Sequence, residues 1–257
     1  MKVLVTNDDG IGAPGIYSLV KALNNAGHTV YVAAPKDPVS GMGKALRVRA
    51  RYGEARYEGA RRAWWVESTP ATAVYLAINL LVDEEIDAVV SGVNRGPNIG
   101  LEDLLTSGTI GAVMEAALNG LPGVAVSLAT DKGVDPDEYD LASNLAARLV
   151  PMLAVLDPGE FVNLNVPENP RGVMATRLAW NNYRVRLKRV DGFVVPEAHG
   201  YRERYWDLAE GTDVWAVMND YVSVTVIDLR NLTDSIVDLE RTSEIARNLG
   251  LPWRGLG

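Results

Sequence analysis

The sequence predicts an α/β protein organised on a doubly wound, mostly parallel sheet, with a β-rich C-terminal lobe. Three observations carry that expectation. Short apolar runs such as Val3–Val5 break abruptly into turn residues, the pattern of parallel strands buried on both faces. Stretches with helical apolar spacing separate these runs through about residue 150. From Phe161 onward the pattern turns to alternating, strand-like segments.

The elements follow in order. Lys2 to Val5 forms the first strand and ends in Asn7-Asp8-Asp9-Gly10, four turn formers. Gly15 to Ala26 reads as a helix with Ile16, Leu19, Val20 and Leu23 on one stripe and Gly27 as its closing glycine. Thr29 to Ala34 is the second strand, and Pro35 to Lys44 a loop leaving its carboxyl end. Leu46 to Glu58 reads as a hairpin with Arg47, Arg49 and Arg51 on one face, and Trp64 to Glu67 as a short strand. Ser68-Thr69-Pro70 combines a hydroxyl cap with proline at a first helical position, so a helix is expected over Ala71 to Val82.

Ile86 to Ser91 is expected as a strand feeding a glycine-punctuated loop, Ser91 to Gly100. A helix over Thr109 to Leu118 would bury Ile110, Val113, Ala117 and Leu118 and stop at Gly120 and Pro122. Gly123 to Leu128 is a strand, Glu138 to Val150 a helix, and Phe161 to Val166 and Gly172 to Leu178 are strands. Tyr183 to Pro196 alternates as a hairpin arm would, with Arg184, Arg186 and Lys188 opposite Val185 and Leu187. Thr212 to Met218 and Tyr221 to Ile227 read as β-rich segments around an Asn219-Asp220 turn, and Leu239 to Leu249 as a closing helix. The expected division is a catalytic domain over residues 1–170 and an integrated β-rich lobe over 171–257.

With 257 residues, 47% hydrophobic and 23% charged, the chain has the makings of a large core. A net charge of −8 argues against duplex DNA or an anionic membrane as partner. No apolar run approaches the length of a membrane span, and Met1-Lys2-Val3 enters a strand directly, so a cytoplasmic location is expected. The chain has no cysteine, which removes disulfides and thiolate chemistry; with no glutamine either, its composition fits a thermophilic source.

Chemistry is expected beyond the carboxyl ends of the strands, where Asp8 and Asp9 stand. Two adjacent carboxylates in one cleft repel each other unless a cation neutralises them, and an oxygen-liganded Mg²⁺ or Mn²⁺ does so most simply. Turn chemistry alone explains the same residues. Ser107-Gly108-Thr109 opens a helix, whose unpaired N–H groups and dipole suit a phosphate, although an ordinary N-cap accounts for it too. Ser40, Asn94 and Asn98 leave other strand ends. A phosphate-accepting signalling domain would need an acceptor Asp and a Lys at later strand ends, which Ser91-Gly92 and Ser127-Leu128 do not supply. A non-catalytic nucleotide-binding module stays open. The basic cluster Arg184, Arg186, Lys188 and Arg189 is either a solvated face or a track for a polyanion.

Taken together, VTNDDGIGAPG (residues 5–15), VAAPKDPVSG (32–41), and SGVNRGPNIG (91–100) followed by TSGTIGAVMEAAL (106–118) resemble the SurE family of metal-dependent nucleotidases and phosphatases. STPATAV (68–74), FVNLNVP (161–167) and GTDVWAVMNDYVSVTVIDL (211–229) extend the resemblance over nearly the whole chain. It implies one divalent cation, Mg or Mn, held by Asp8, Asp9, Ser40 and Asn94, and a substrate phosphate received by Asn98, Ser107, Gly108 and Thr109. It further implies hydrolysis of nucleoside monophosphates, with polyphosphate shortened by some members. The implied fold is Rossmann-like, with a C-terminal arm exchanged in a homodimer or homotetramer. The chain departs from the family pattern at Gly43, where a second serine is usual, and in a longer segment before Ser107 with Thr106 in place of an aromatic. A carboxylate that shares its lone pairs with a divalent ion is a poor nucleophile, so water is the expected attacker, with inversion at phosphorus.

Overall fold

The computed structural model describes residues 1–47, 49–132, 135–180, 186–197, 200–205 and 209–234. Along the chain the strands are β1 (Lys2–Thr6), β2 (Thr29–Pro35), β3 (Tyr52–Ala55), β4 (Arg62–Val66), β5 (Ala88–Arg95), β6 (Gly123–Ala129), β7 (Glu160–Pro167), β8 (Gly172–Ala175), β9 (Leu187–Val190), β10 (Phe193–Pro196) and β11 (Tyr221–Asp228). The helices are α1 (Pro14–Asn25), α2 (Pro70–Leu76, prolonged by a wider turn over Ala77–Leu81), α3 (Gly100–Thr106), α4 (Gly108–Leu118), α5 (Asp140–Leu149), α6 (Tyr201–Arg204), α7 (Asp213–Met218) and α8 (Asn231–Asp234).

Nine strands form one mixed, mostly parallel sheet in the order β3-β4-β2-β1-β5-β6-β7-β11-β8. The run from β4 to β7 is parallel, β3 and β11 are antiparallel to β4 and β7, and β8 runs parallel to β11. Strand periodicity divides the core. Val3 and Val5 pack with α1 and α5 on one face, while Leu4, between them, packs with α2 and α4 on the other. Burial on both faces is what a continuous apolar run such as Val3–Val5 requires. The chain order reverses at β1, with β2 on one side and β5 on the other, and a crevice opens there beyond the strand ends.

Local signals account for most elements. The α1 stripe of Ile16, Leu19, Val20 and Leu23 is buried, and Gly27 closes the helix at φ +82. Thr69 caps α2 by accepting the Thr72 N–H, with Pro70 at the first position.

Several expectations need correction. The hairpin is not within Leu46–Glu58 but between β3 and β4, because Gly59, at φ +82, makes the turn and Gly53 lies flat under the Trp65 ring. The Thr212–Met218 segment is helical: Thr212 accepts the Trp215 N–H as an N-cap, and Asp220, at φ +60, turns the chain into β11. The helix α3 lies in what reads as loop before Ser107; about two turns is too short for apolar periodicity to register. Leu118 is 62% exposed at the last residue of α4 rather than buried. Strand β5 continues to Arg95 through a register shift between Ser91 and Asn94, where Gly92 stands at φ +134. Strands β8 and β11 extend the main sheet. The closing helix expected over Leu239–Leu249, and the start of the arm at Tyr183–Val185, lie outside the described residues.

Close backbone approach locks the crevice. A Cβ at Gly15, on α1, would collide with the Val93 carbonyl oxygen, a backbone atom with nowhere to go. Gly15→Ala is therefore expected to lower stability in urea unfolding by about 1–3 kcal/mol, as overpacking does. An unchanged midpoint would show that α1 and β5 do not meet as described.

Candidate active site

The first turn is built by Asn7, whose Nδ2 donates to the Gly10 carbonyl at 2.9 Å, while Gly10 itself stands at φ +95. Ile11 N–H then donates to Pro35 O at 2.8 Å, which fastens the turn to the end of β2. This holds Asp8 and Asp9 over the carboxyl end of β1, at the chain reversal. The loop after β2 is tied to the same place, because Val39 N–H donates to the Asp8 carbonyl at 2.8 Å, leaving Ser40, next in sequence, exposed beside the turn. Further on, Gly43 N–H donates to Thr106 O at 2.7 Å. A Cβ at Gly43 would strike the Leu105 carbonyl, and one at Gly111 would strike the Gly43 carbonyl. The loop after β2 is thus joined to α3 and α4 by backbone packed on backbone.

Asp8 is buried against the start of α4. Its Oδ1 accepts from Thr109 Oγ1 at 2.6 Å, and a Cβ at Gly108 would lie 3.0 Å from its Oδ2, so glycine lets the helix terminus close over the carboxylate. Burial nevertheless pushes the Asp8 pKa up to about 6; the Thr109 hydrogen bond pulls it down, and the charge of Asp9 pushes it up. Asp9 is half-buried, and burial raises its pKa as well, opposed by the Arg95 backbone N–H and guanidinium. Arg95 is exposed, so its charge reaches only one of the pair.

The remaining candidates lie on β5, the segment after it and the start of α4. Asn94 Nδ2 donates to Gly96 O at 2.8 Å, which keeps its amide oxygen as the acceptor on offer. Asn98 is buried, its Nδ2 donating to Ser127 Oγ at 2.9 Å, which leaves its second amide hydrogen. Ser107 caps α4 by accepting the Ile110 N–H at 3.2 Å, and the Thr109 hydroxyl is spent on Asp8. Carboxylates, hydroxyl and amide make an all-oxygen donor set, and among the described residues Asp8 has a helix terminus but no full positive charge in contact. That combination fits a hard divalent ion of the magnesium or manganese kind. Among the described residues no three His, Cys, Asp or Glu side chains converge.

Sequence reading passed over a second set of polar residues. Asn163 and Asn165 on β7, Ser127 on β6, Asp103 on α3 and Asp213 on α7 all contact the Asn98–Gly100 segment. The available signal was the spacing of Asn163 and Asn165, two polar side chains on one face of an otherwise apolar strand. His28 lies past α1, where burial lowers its pKa, and His199 lies outside the described residues. A separate cavity of about 560 Å³, lined by Tyr17, Ser18, Lys21 and Asp140, faces the outer side of α1 and includes neither Asp8 nor Asp9.

The family model "Survival protein SurE" matches residues 3–185. The chain belongs to the SurE family. Relatives named "5'-nucleotidase SurE" include one from Geobacter metallireducens, 41% identical with 89% of this chain and 92% of that protein covered. Another, from Desulforudis audaxviator, is 37% identical over 91% of this chain and 93% of its own length. The crystal structure of the SurE protein from Aquifex aeolicus superposes with a TM-score of 0.74 at 30% identity, covering 93% of this chain and 100% of that one.

The titration of Asp8 sets a test of metal binding. Without a cation its folded pKa of about 6 exceeds the ordinary 3.8, so the associated stability is present below about pH 4 and lost as pH rises through 6. A divalent ion favours the ionised form. The rise in melting temperature produced by Mn²⁺ is therefore expected to be small at pH 5 and larger at pH 7.5, and to vanish in Asp8→Asn. An equal rise at both pH values would separate Asp8 from the metal.

Proposed function

We propose that the chain is a divalent-metal-dependent 5′-nucleotidase that hydrolyses nucleoside monophosphates to nucleoside and phosphate. The observation that carries the reading is the Asp8–Asp9 pair at the chain reversal, with one carboxylate buried on a helix terminus, in a chain whose full-length relatives bear that name. Asp8, Asp9, Ser40 and Asn94 would hold the ion. Bound there, the ion would supply charge neutralisation at the phosphoryl oxygens.

The chain's own groups do the rest. Asn98 offers its remaining amide hydrogen to a phosphoryl oxygen, and Ser107, Gly108 and Thr109 bring the N-terminal end of α4 and its dipole to the same phosphate. Thr109 and the α4 terminus keep Asp8 ionised and aimed, so that positioning and electrostatics provide most of the acceleration, as phosphoryl transfer requires. Arg95 moderates the charge on Asp9. Removing metal by chelator should abolish release of phosphate from a nucleoside 5′-monophosphate, and re-addition of Mg²⁺ or Mn²⁺ should restore it. Asp8→Asn and Asp9→Asn should each lower kcat/KM by at least about 10²-fold, the loss typical of a missing charge-stabilising group, with folding retained. Near-wild-type turnover at low metal in either variant would refute the assignment.

The same reading takes residues 1–170 as a Rossmann-like, doubly wound catalytic domain and 171–257 as an oligomerisation lobe with an exchanged arm. Its support is the β9–β10 hairpin, which pairs with no other strand among the described residues and exposes Leu187, Phe193 and Val194. An isolated hairpin with such a surface is marginal in water, and a second copy would cover it. Replacing residues 187–196 with a short Gly-Ser turn should reduce the mass seen by light scattering from dimer or tetramer to monomer. A full-length protein already monomeric at micromolar concentration would refute the arm's role.

A further inference from the structure

We propose that Asn163, Asn165 and Asp213 are positioning residues for substrate phosphate, acting through the backbone of Asn98 to Gly100. The inference rests on the reading of Asn98 as a phosphate ligand. It gives a role to two sequence blocks, FVNLNVP and GTDVWAV, that contribute no group to the metal or phosphate set.

Three consecutive backbone N–H groups are each taken by a side chain from a different element. Asn98 N–H donates to Asn165 Oδ1 at 2.8 Å, Ile99 N–H to Asp103 Oδ2 at 3.0 Å, and Gly100 N–H to Asp213 Oδ2 at 2.8 Å. The Asn98 carbonyl in turn accepts from Asn163 Nδ2 at 2.9 Å and Asn165 Nδ2 at 3.0 Å. The Asn165 carboxamide therefore binds both backbone groups of Asn98, as a neighbouring strand would. Asp213 also accepts the Ala179 and Val214 N–H groups through Oδ1, so its carboxylate is held in place by the chain around it.

Burial makes these contacts informative. Asn163, Asn165 and Asp213 are fully buried, where a polar side chain costs stability unless it is hydrogen-bonded. Asn163 satisfies only its amide nitrogen; its Oδ1 is buried without a partner among the described residues. A valine there would avoid that penalty and suit the strand, so the amide is explained by what it gives the Asn98 carbonyl. Holding both backbone groups of Asn98, with Ser127 on its Nδ2, fixes where its second amide hydrogen points. Through Gly100 the same contacts set the start of α3, whose end leads directly into Ser107 and α4.

The test compares anion and metal binding in the full-length, Mn²⁺-loaded protein carrying Asn165→Leu, Asn163→Leu or Asp213→Asn. Titration with inorganic phosphate, and KM for a nucleoside 5′-monophosphate, should each weaken about tenfold or more, while Mn²⁺ affinity stays within about twofold, because Asp8 and Asp9 keep their own supports. In an Asn98→Ala background Asn165→Leu should add less than about twofold to the phosphate loss, as expected for residues acting through one another. A purely structural role would instead lower melting temperature and both affinities together, or give additive losses, and either result overturns the proposal. Should one variant fail to fold, the other two decide by the same pair of affinities. Wild-type protein without nucleotidase activity would sink the functional reading; an active wild type whose phosphate affinity ignores all three substitutions would sink the positioning role alone.

Discussion

Everything near the crevice answers to one constraint: two adjacent carboxylates, one of them buried, must be kept in a single cleft. Burial and mutual repulsion both push Asp8 toward its neutral form, against the Thr109 hydroxyl and the backbone N–H groups of Asp8 and Thr109. The arrangement is poor as structure and good as a cation site. Other buried carboxylates of this fold have their charge offset more fully: Glu115 pairs with Lys44 at 2.6 Å, and Asp213 accepts three backbone N–H groups.

The fold meets that constraint by close backbone approach more than by side chains. Glycines at 10, 15, 43, 108 and 111 let the first turn, α1, the loop after β2, strand β5 and helices α3 and α4 pack backbone closely. Each leaves no space for a Cβ, or little, which ties the position of Asp8 to the packing of several separate segments. Segments later in the chain then reach the Asn98 segment. Strand β7 lies parallel beside β6, with Asn165 opposite Ser127, which brings Asn163 and Asn165 to Asn98, while α7 sets Asp213 against Gly100.

Much of this was legible from sequence. Buried parallel strands, the α1 stripe, the Thr69-Pro70 helix start and the acidic turn at a strand end follow from local patterns that the tertiary structure reinforces. What escaped was set by contacts distant in sequence. Helix α3 is too short to announce itself, and Thr212–Met218 became helical through its cap despite β-like composition. The exposed position of Leu118 reflects a helix end, which periodicity does not locate. Within the candidate site, Asp8 and Asp9 stand out as turn residues after a strand, whereas Asn163 and Asp213 acquire meaning only when the fold brings them to the Asn98 segment.

The central claim is that Asp8 and Asp9 share one divalent cation, and it is tested most directly by anomalous scattering at the manganese edge from crystals grown with Mn²⁺. The account predicts one strong peak per subunit between the two carboxylates, with Ser40 and Asn94 in reach. A peak at some other carboxylate cluster, or none between Asp8 and Asp9 at saturating Mn²⁺, would contradict it.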